Sequence, residues 1–243
     1  MALLNDQIAV VTGASSGIGR AIALALAEQG ATVCLAARRF EALKEIAAHC
    51  LAVPRKLLPY QLDIASDTDV EKFAAQLRAD FGHIDVLIHS AGIFSLGPVS
   101  RASIADFESQ FRTNVLGPYA LTQALLPMLR PQRGQIVFIN STAGLVAREN
   151  VSQYAATKHA LKALADSLRE EVNREGIRVM SLYLGRTATP LQAKVRALEK
   201  KPYCADDLIQ TRDIAATVVS ALSLSRSAEI TEIRMRPFTR PRA

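Results

Sequence analysis

Tryptophan is absent from the chain, and aromatic residues make up only 5% of it. Cysteine occurs three times, at widely spaced positions 34, 50 and 204, with no Cys-x-x-Cys pair. That odd, scattered set excludes a disulfide framework and a thiolate zinc site, and it sets a reducing cytoplasm as the expected compartment. His49, His83 and His159 show no metal-ligand spacing, so no metal is expected and all three read as surface residues. No run approaches the ~20 apolar residues needed to cross a bilayer. Residues 1–11 hold neither Lys nor Arg, unlike a secretory signal or an Arg-rich transit peptide.

Charge is lopsided but diffuse. The net charge is +6, yet the only local basic excess is Arg234, Arg236, Arg240 and Arg242 near the end. A nucleic-acid surface needs a basic stripe with stacking aromatics, which is missing. The remaining reading is a solvated basic surface suited to an anionic ligand.

What is present is an ordinary globular composition, 49% hydrophobic and 21% charged, which excludes a disordered chain. The 243 residues allow one or two domains, and no linker or shift in composition divides them. One domain over residues 1–243 is expected. Apolar β-type runs fall at 7–12, 31–37, 56–62, 84–90, 135–140, 177–184 and 228–235. Helical patterns lie between them, at 17–29, 40–50, 67–81, 103–129, 151–175 and 213–224. Gly117-Pro118 should kink the fourth of these. Strand alternating with helix predicts an α/β protein: a doubly wound, parallel, seven-stranded sheet of Rossmann type with helices on both faces. Residues 185–210 are the least regular stretch, and about 186–210 is expected to form a substrate loop.

The first strand runs into Thr12-Gly13-Ala14-Ser15-Ser16-Gly17-Ile18-Gly19 and then a helix. Glycines admit positive φ and close approach of a pyrophosphate, while a helix N-terminus offers free N–H groups. The spacing is neither G-x-G-x-x-G nor a Walker A loop. At the tip of the second strand stand Arg38 and Arg39, with no Asp or Glu. Guanidiniums there accommodate a 2′-phosphate, so NADP(H) is expected in preference to NAD(H). Tyr154 and Lys158 sit four residues apart, on one helical face that continues through Leu161, Ala165, Leu168 and Val172. A phenol is too weak an acid for base chemistry at neutral pH. A nearby ammonium is expected to lower its pKa and let it trade a proton with a carbonyl oxygen or an alcohol. The strand before that helix ends in Asn140-Ser141, where ligands bind in open α/β sheets.

In this order the glycine turn, Ser141 and the Tyr154–Lys158 pair resemble the short-chain dehydrogenase/reductase superfamily over nearly the whole chain. The resemblance implies that Tyr154 is the general acid/base, that Lys158 lowers its pKa and holds the nicotinamide ribose, and that Ser141 bonds the substrate oxygen. It implies that Asn114 helps organise a water in the proton relay. For the cofactor it implies contacts from Gly13, Ser15, Ser16, Gly17, Ile18 and Gly19, from Asp63 and Ile64 near adenine, from Ser90, Ala91 and Gly92, and from Gly185, Thr187 and Thr189. Two departures stand out. His89-Ser90 replaces the family's Asn-Asn, and His89 is expected to be a structural hydrogen-bonder. Leu184 replaces a Pro, which is expected to loosen the start of the following loop. The chain also lacks the glycine-rich end of the ketoacyl-carrier-protein reductase branch.

The implied activity is an NADP(H)-dependent reduction of a ketone or aldehyde, or oxidation of a secondary alcohol. A dinucleotide-binding regulator without turnover and a non-redox epimerase or dehydratase stay open as alternatives. The resemblance also implies a homodimer or homotetramer through the two long helices, with Ala155, Ala156, Ala160 and Ala163 allowing close packing. The substrate pocket is expected to draw on Phe94, Leu96, Val146, Arg148 and residues 189–207, with Leu145 and Leu191 as further apolar lining and Arg148 or Arg186 meeting any acidic substrate.

Overall fold

A computed structural model describes residues 3–49 and 57–238. Seven strands form one parallel sheet in the order β3-β2-β1-β4-β5-β6-β7. They are β1 Ile8–Thr12, β2 Thr32–Ala37, β3 Leu57–Gln61, β4 Val86–His89, β5 Gln135–Ser141, β6 Arg178–Leu184 and β7 Glu232–Met235. The helices are α1 Gly17–Glu28, α2 Phe40–His49, α3 Asp67–Phe81, α4 Ile104–Phe111, α5 Gly117–Leu129, α6 Ser152–Val172, α7 Pro190–Leu198 and α8 Thr211–Leu222.

Every residue of β1 is buried, because the strand lies mid-sheet with helices over both faces. Alternate residues feed separate cores. Ala9 and Val11 pack with Ile22 and Leu26 of α1 and Ile214 and Val218 of α8. Ile8 and Val10 pack with Phe73 of α3, Leu125 of α5 and Leu161 of α6. The order reverses between β1 and β4, so their C-terminal ends diverge into a crevice.

Three expectations need correction. The long helix predicted over 103–129 is α4 and α5 joined by a π-turn, Arg112–Leu116. There Gly117 N–H donates to the carbonyl of Arg112, five residues back. Pro118 has no N–H to give the Asn114 carbonyl, so the chain widens before the proline rather than kinking at it. The last strand starts at Glu232 rather than near 228. The reason is a side chain: Glu229 Oε1 accepts from Val179 N–H at 2.9 Å, taking the place of a ladder partner. Within the stretch read as irregular, Pro190–Leu198 is helical, with Thr189 as its N-cap accepting from Gln192 N–H at 3.1 Å. The predicted ends at Cys50 and Lys56 lie outside the described residues.

Candidate active site

The crevice is built first from backbone. Thr12, 1% exposed, donates its hydroxyl to Ile88 O at 3.2 Å and accepts from Ser90 N–H at 3.1 Å and Ala91 N–H at 3.2 Å. Its single proton and both lone pairs are used, which locks the exit of β1 to that of β4. Gly13 follows at φ +69°, and a Cβ there would stand 2.8 Å from Ala91 N. A Cβ on Gly19 would stand 2.5 Å from the Gly13 carbonyl oxygen. The turn therefore admits no side chain at either place. Ser16 is the N-cap of α1 but makes no side-chain cap bond, leaving first-turn N–H groups without that partner.

Beside the turn, Arg39 Nη2 donates to Ser15 Oγ at 3.3 Å, and Arg38 and Arg39 are both exposed. Beyond β3, Asp63 Oδ1 accepts from Ala65 N–H at 3.0 Å, and Ile64 is buried.

The other wall is held by side chains. Asn114, in the π-turn and 1% exposed, accepts from Ile93 N–H at 2.9 Å and donates to Ile93 O at 3.0 Å and Thr157 Oγ1 at 3.1 Å. Thr157 in turn donates to the Tyr154 carbonyl at 2.8 Å. Asn140 Nδ2 donates to the Lys158 carbonyl at 3.1 Å, and Asn140 Oδ1 accepts from Ser141 N–H at 2.7 Å. These bonds fix α6 against the end of β5, so Ser141, Tyr154 and Lys158 face one cavity of about 1090 Å³. Ile18, Ser90, Ala91, Gly92, Gly185, Thr187 and Thr189 line the same cavity. Phe94, Leu145, Val146, Arg148, Arg186 and Leu191 also line it, whereas Leu96 does not. Sequence reasoning missed Thr157 and Asn140 as positioning residues. Their signal was weak: a threonine one turn from the tyrosine, and a polar residue ending an otherwise apolar strand.

The electrostatics differ from expectation. Burial pushes the Tyr154 phenol up to about 12, while its hydrogen bond with Ser141 acts in the opposite sense. Lys158 is 5% exposed, and burial pulls its ammonium down to about 8. Its Nζ donates to Ile139 O at 3.2 Å and lies 5.8 Å from the Tyr154 ring centroid. Desolvation therefore dominates the phenol, and Ser141 is the group that opposes it.

Two departures from the family pattern also resolve structurally. His89 is 2% exposed and stacks on Phe138. Its Nε2 lies 2.8 Å from Thr122 Oγ1, which donates to Pro118 O at 2.7 Å, so Nε2 carries the proton. Burial drives the imidazole down to about 3, keeping it neutral. At Leu184 the expected loosening does not occur. Gly185 N–H donates to Met235 O at 2.8 Å, and Ala188 N–H donates to Ile209 O at 2.9 Å. Ile209 N–H closes the stem by donating to Arg186 O at 3.1 Å. Of the surface histidines, His159 is exposed and His83 partly so; the side chain of His49 lies outside the described set.

Residues 7–200 match the family described as short chain dehydrogenase. The chain belongs to that family. This short chain dehydrogenase is 32% identical over 238 residues to an uncharacterized oxidoreductase of Staphylococcus epidermidis, covering 98% of this chain and 100% of the relative. Among solved structures it resembles an alcohol dehydrogenase of the archaeon Thermococcus sibiricus complexed with 5-hydroxy-NADP. The TM-score is 0.88 at 27% identity, over 98% of this chain and 99% of that one. It also resembles a putative short chain dehydrogenase of Escherichia coli CFT073 complexed with NADPH. There the TM-score is 0.89 at 30% identity, over 96% and 98% of the two chains. Among the described residues of this dehydrogenase, no helix is long and apolar enough to cross a membrane and no acidic, His or Cys cluster could hold a metal.

Proposed function

We propose that this dehydrogenase is an NADP(H)-dependent oxidoreductase acting on a ketone, an aldehyde or a secondary alcohol, with Tyr154 as general acid/base. The observation that carries the reading is the convergence of Ser141, Tyr154 and Lys158 on one cavity at the C-terminal ends of the central strands. The residues fit a dinucleotide. Gly13 and Gly19 leave backbone bare where a Cβ would collide, and α1 opens with an N-terminus free of side-chain caps. Asp63 and Ile64 stand at the adenine end of this reading. Ser90, Ala91, Gly92, Gly185, Thr187 and Thr189 flank the nicotinamide end. Arg38 and Arg39 would take a 2′-phosphate, which underlies the preference for NADP(H) over NAD(H). Structural neighbours carrying NADP or NADPH support the same reading.

A bound reduced nicotinamide supplies the hydride. Ser141 bonds the substrate oxygen and steadies the phenol. Tyr154, protonated at neutral pH as any phenol is and held so by burial well above it, gives its proton to the oxygen during reduction and takes it back in the reverse direction. Lys158 supplies positive charge beside the phenolate and holds the ribose. Asn114 spends its side-chain amide on Ile93 and Thr157, which positions Tyr154 from behind.

The chain acts as one domain in this reading and pairs as a homodimer or homotetramer through α5 and α6, where Ala156 and Ala163 are exposed. Sedimentation at micromolar concentration tests that point, and a monomer removes it. The main test is titration with NADPH and NADH by nicotinamide fluorescence, then oxidation of the bound NADPH by a carbonyl panel. Tighter NADPH binding and turnover are expected. Failure to bind either dinucleotide overturns the reading.

A further inference from the structure

The lining of the cavity is unusual in charge. Among the described residues seven basic side chains line the cavity and only one acidic side chain, Glu199. One of the seven, Arg196, stands on α7. Arg196 lies on its inner face and is 6% exposed. Among the described residues its guanidinium makes one hydrogen bond, a long one, from Nη1 to Glu199 Oε2 at 3.5 Å. Glu199 gives its other oxygen to Arg186 Nη2 at 2.7 Å. One carboxylate is thus shared by two guanidiniums and saturates neither, since each carries five donors. One turn before Arg196, Gln192 lines the same cavity with its Nε2 buried and unpartnered. A buried amide donor without an acceptor is costly unless something completes it, and a guanidinium with a single long bond keeps donors free for a ligand. Leu191 and Val195 flank this pair in sequence, and Leu145 and Val146 line the same cavity, an apolar lining that can house a short carbon chain.

We propose that Arg196, Gln192 and Arg186 form a carboxylate subsite, and that the substrate is a carbonyl compound or alcohol carrying a carboxylate. The substrate class rests on the oxidoreductase reading above. The planar fork of a guanidinium matches a carboxylate with two parallel bonds, and the Gln192 amide adds a third donor. The phosphates of the dinucleotide have their own cradle: Gly13, Ser15 and Arg39 do not line this wall. Glu199 serves as a stand-in anion that holds Arg186 and Arg196 in place and keeps their charges from repelling. Burial raises its carboxyl, but the bond from Arg186 and the fields of Arg186 and Arg196 together hold it below the usual range.

The test compares 4-oxopentanoate and 3-oxobutanoate with their methyl esters as substrates for NADPH oxidation. The free acids are expected to exceed the esters at least tenfold in kcat/KM. Arg196→Met is expected to bring that ratio near one with the NADPH Kd changed less than twofold, and Glu199→Gln to raise the ratio about threefold. Equal use of acid and ester by the wild type overturns the proposal. So does an unchanged ratio in R196M, or a loss of NADPH affinity there without a change in ratio. Calorimetric titration of 4-oxopentanoate, with and without NADP+, separates the subsite from the reaction. Binding abolished by R196M but without turnover supports the subsite and counts against the reductase reading. Binding equal in wild type and R196M, or absent from both, overturns the subsite.

Discussion

The two walls of the crevice are made of different materials. The wall at β1 and α1 is backbone: glycines with no room for a side chain, one fully bonded threonine hydroxyl and an open helix end. The wall at β5, α6 and α7 is side chain: a phenol, two buried cations and amides that bond across elements. A backbone wall suits a ligand common to many proteins, because steric exclusion sets its shape. A side-chain wall can be changed one residue at a time without altering the frame. General binding is thus separated from particular chemistry within a single cavity.

The sharpest way to break this comparison is at Tyr154. Tyr154→Phe should lower kcat by about 10²–10⁴-fold, the usual worth of a positioned acid/base. The Kd for NADPH should stay within twofold, read by fluorescence titration. A variant that keeps most of its activity would place proton transfer elsewhere on the side-chain wall. Gly19→Ala tests the other wall. Its Cβ would stand 2.5 Å from the Gly13 carbonyl oxygen, and such overpacking costs ~1–3 kcal/mol. NADPH binding should weaken at least tenfold and the thermal midpoint should fall. Unchanged binding would show that the turn has slack.

A smaller effect is expected at Arg39, which joins the backbone wall to Ser15. Arg39→Ala should weaken NADPH about tenfold, from loss of a charge-assisted bond worth ~1.5 kcal/mol at this exposed site, and leave NADH nearly unaffected. Parallel loss for both dinucleotides would remove the 2′-phosphate assignment.

The smallest effect concerns His89, behind the crevice. Its pKa falls from 6.5 unfolded to about 3 folded, so the unfolded chain binds the extra proton between those values. Stability from the neutral ring is complete above pH 6.5 and lost as pH drops towards 3. His89→Asn should flatten the part of the acid-side decline in thermal midpoint that this ring contributes. The pH dependence of kcat between 6 and 8 should not change. A group titrating near 6.5 that vanishes in this variant would make His89 part of the reaction.

Legibility in the sequence followed the same division. The sheet, its parallel sense and the helices on both faces follow from apolar runs alternating with helical periods, and the glycine turn announces itself because only glycine fits there. The π-turn at Arg112–Leu116 was hidden, since Pro118 signals a break without saying on which side it falls. Helix α7 was hidden because its inward face is Gln192, Val195 and Arg196 rather than an apolar stripe. The lowered Lys158 and raised Tyr154 were unreadable from spacing, because desolvation depends on what other elements lay over them. Asn140 and Thr157 act through partners in distant segments or on the backbone, which residue type alone does not reveal.

The Thr12 clamp carries a consequence in time. Its hydroxyl meets the Ser90 and Ala91 amides, 78 and 79 residues further along the chain. A chain emerging from the ribosome therefore has no crevice when β1 and α1 are out. The crevice appears only after three crossovers have been completed and β4 has slotted in beside β1. Until that moment the edge of β1 that will pair with β4 lies open, a sticky apolar ribbon awaiting a neighbour. The slow closure of distant contacts, more than the formation of any helix, should set the pace at which the newborn protein becomes able to hold a ligand.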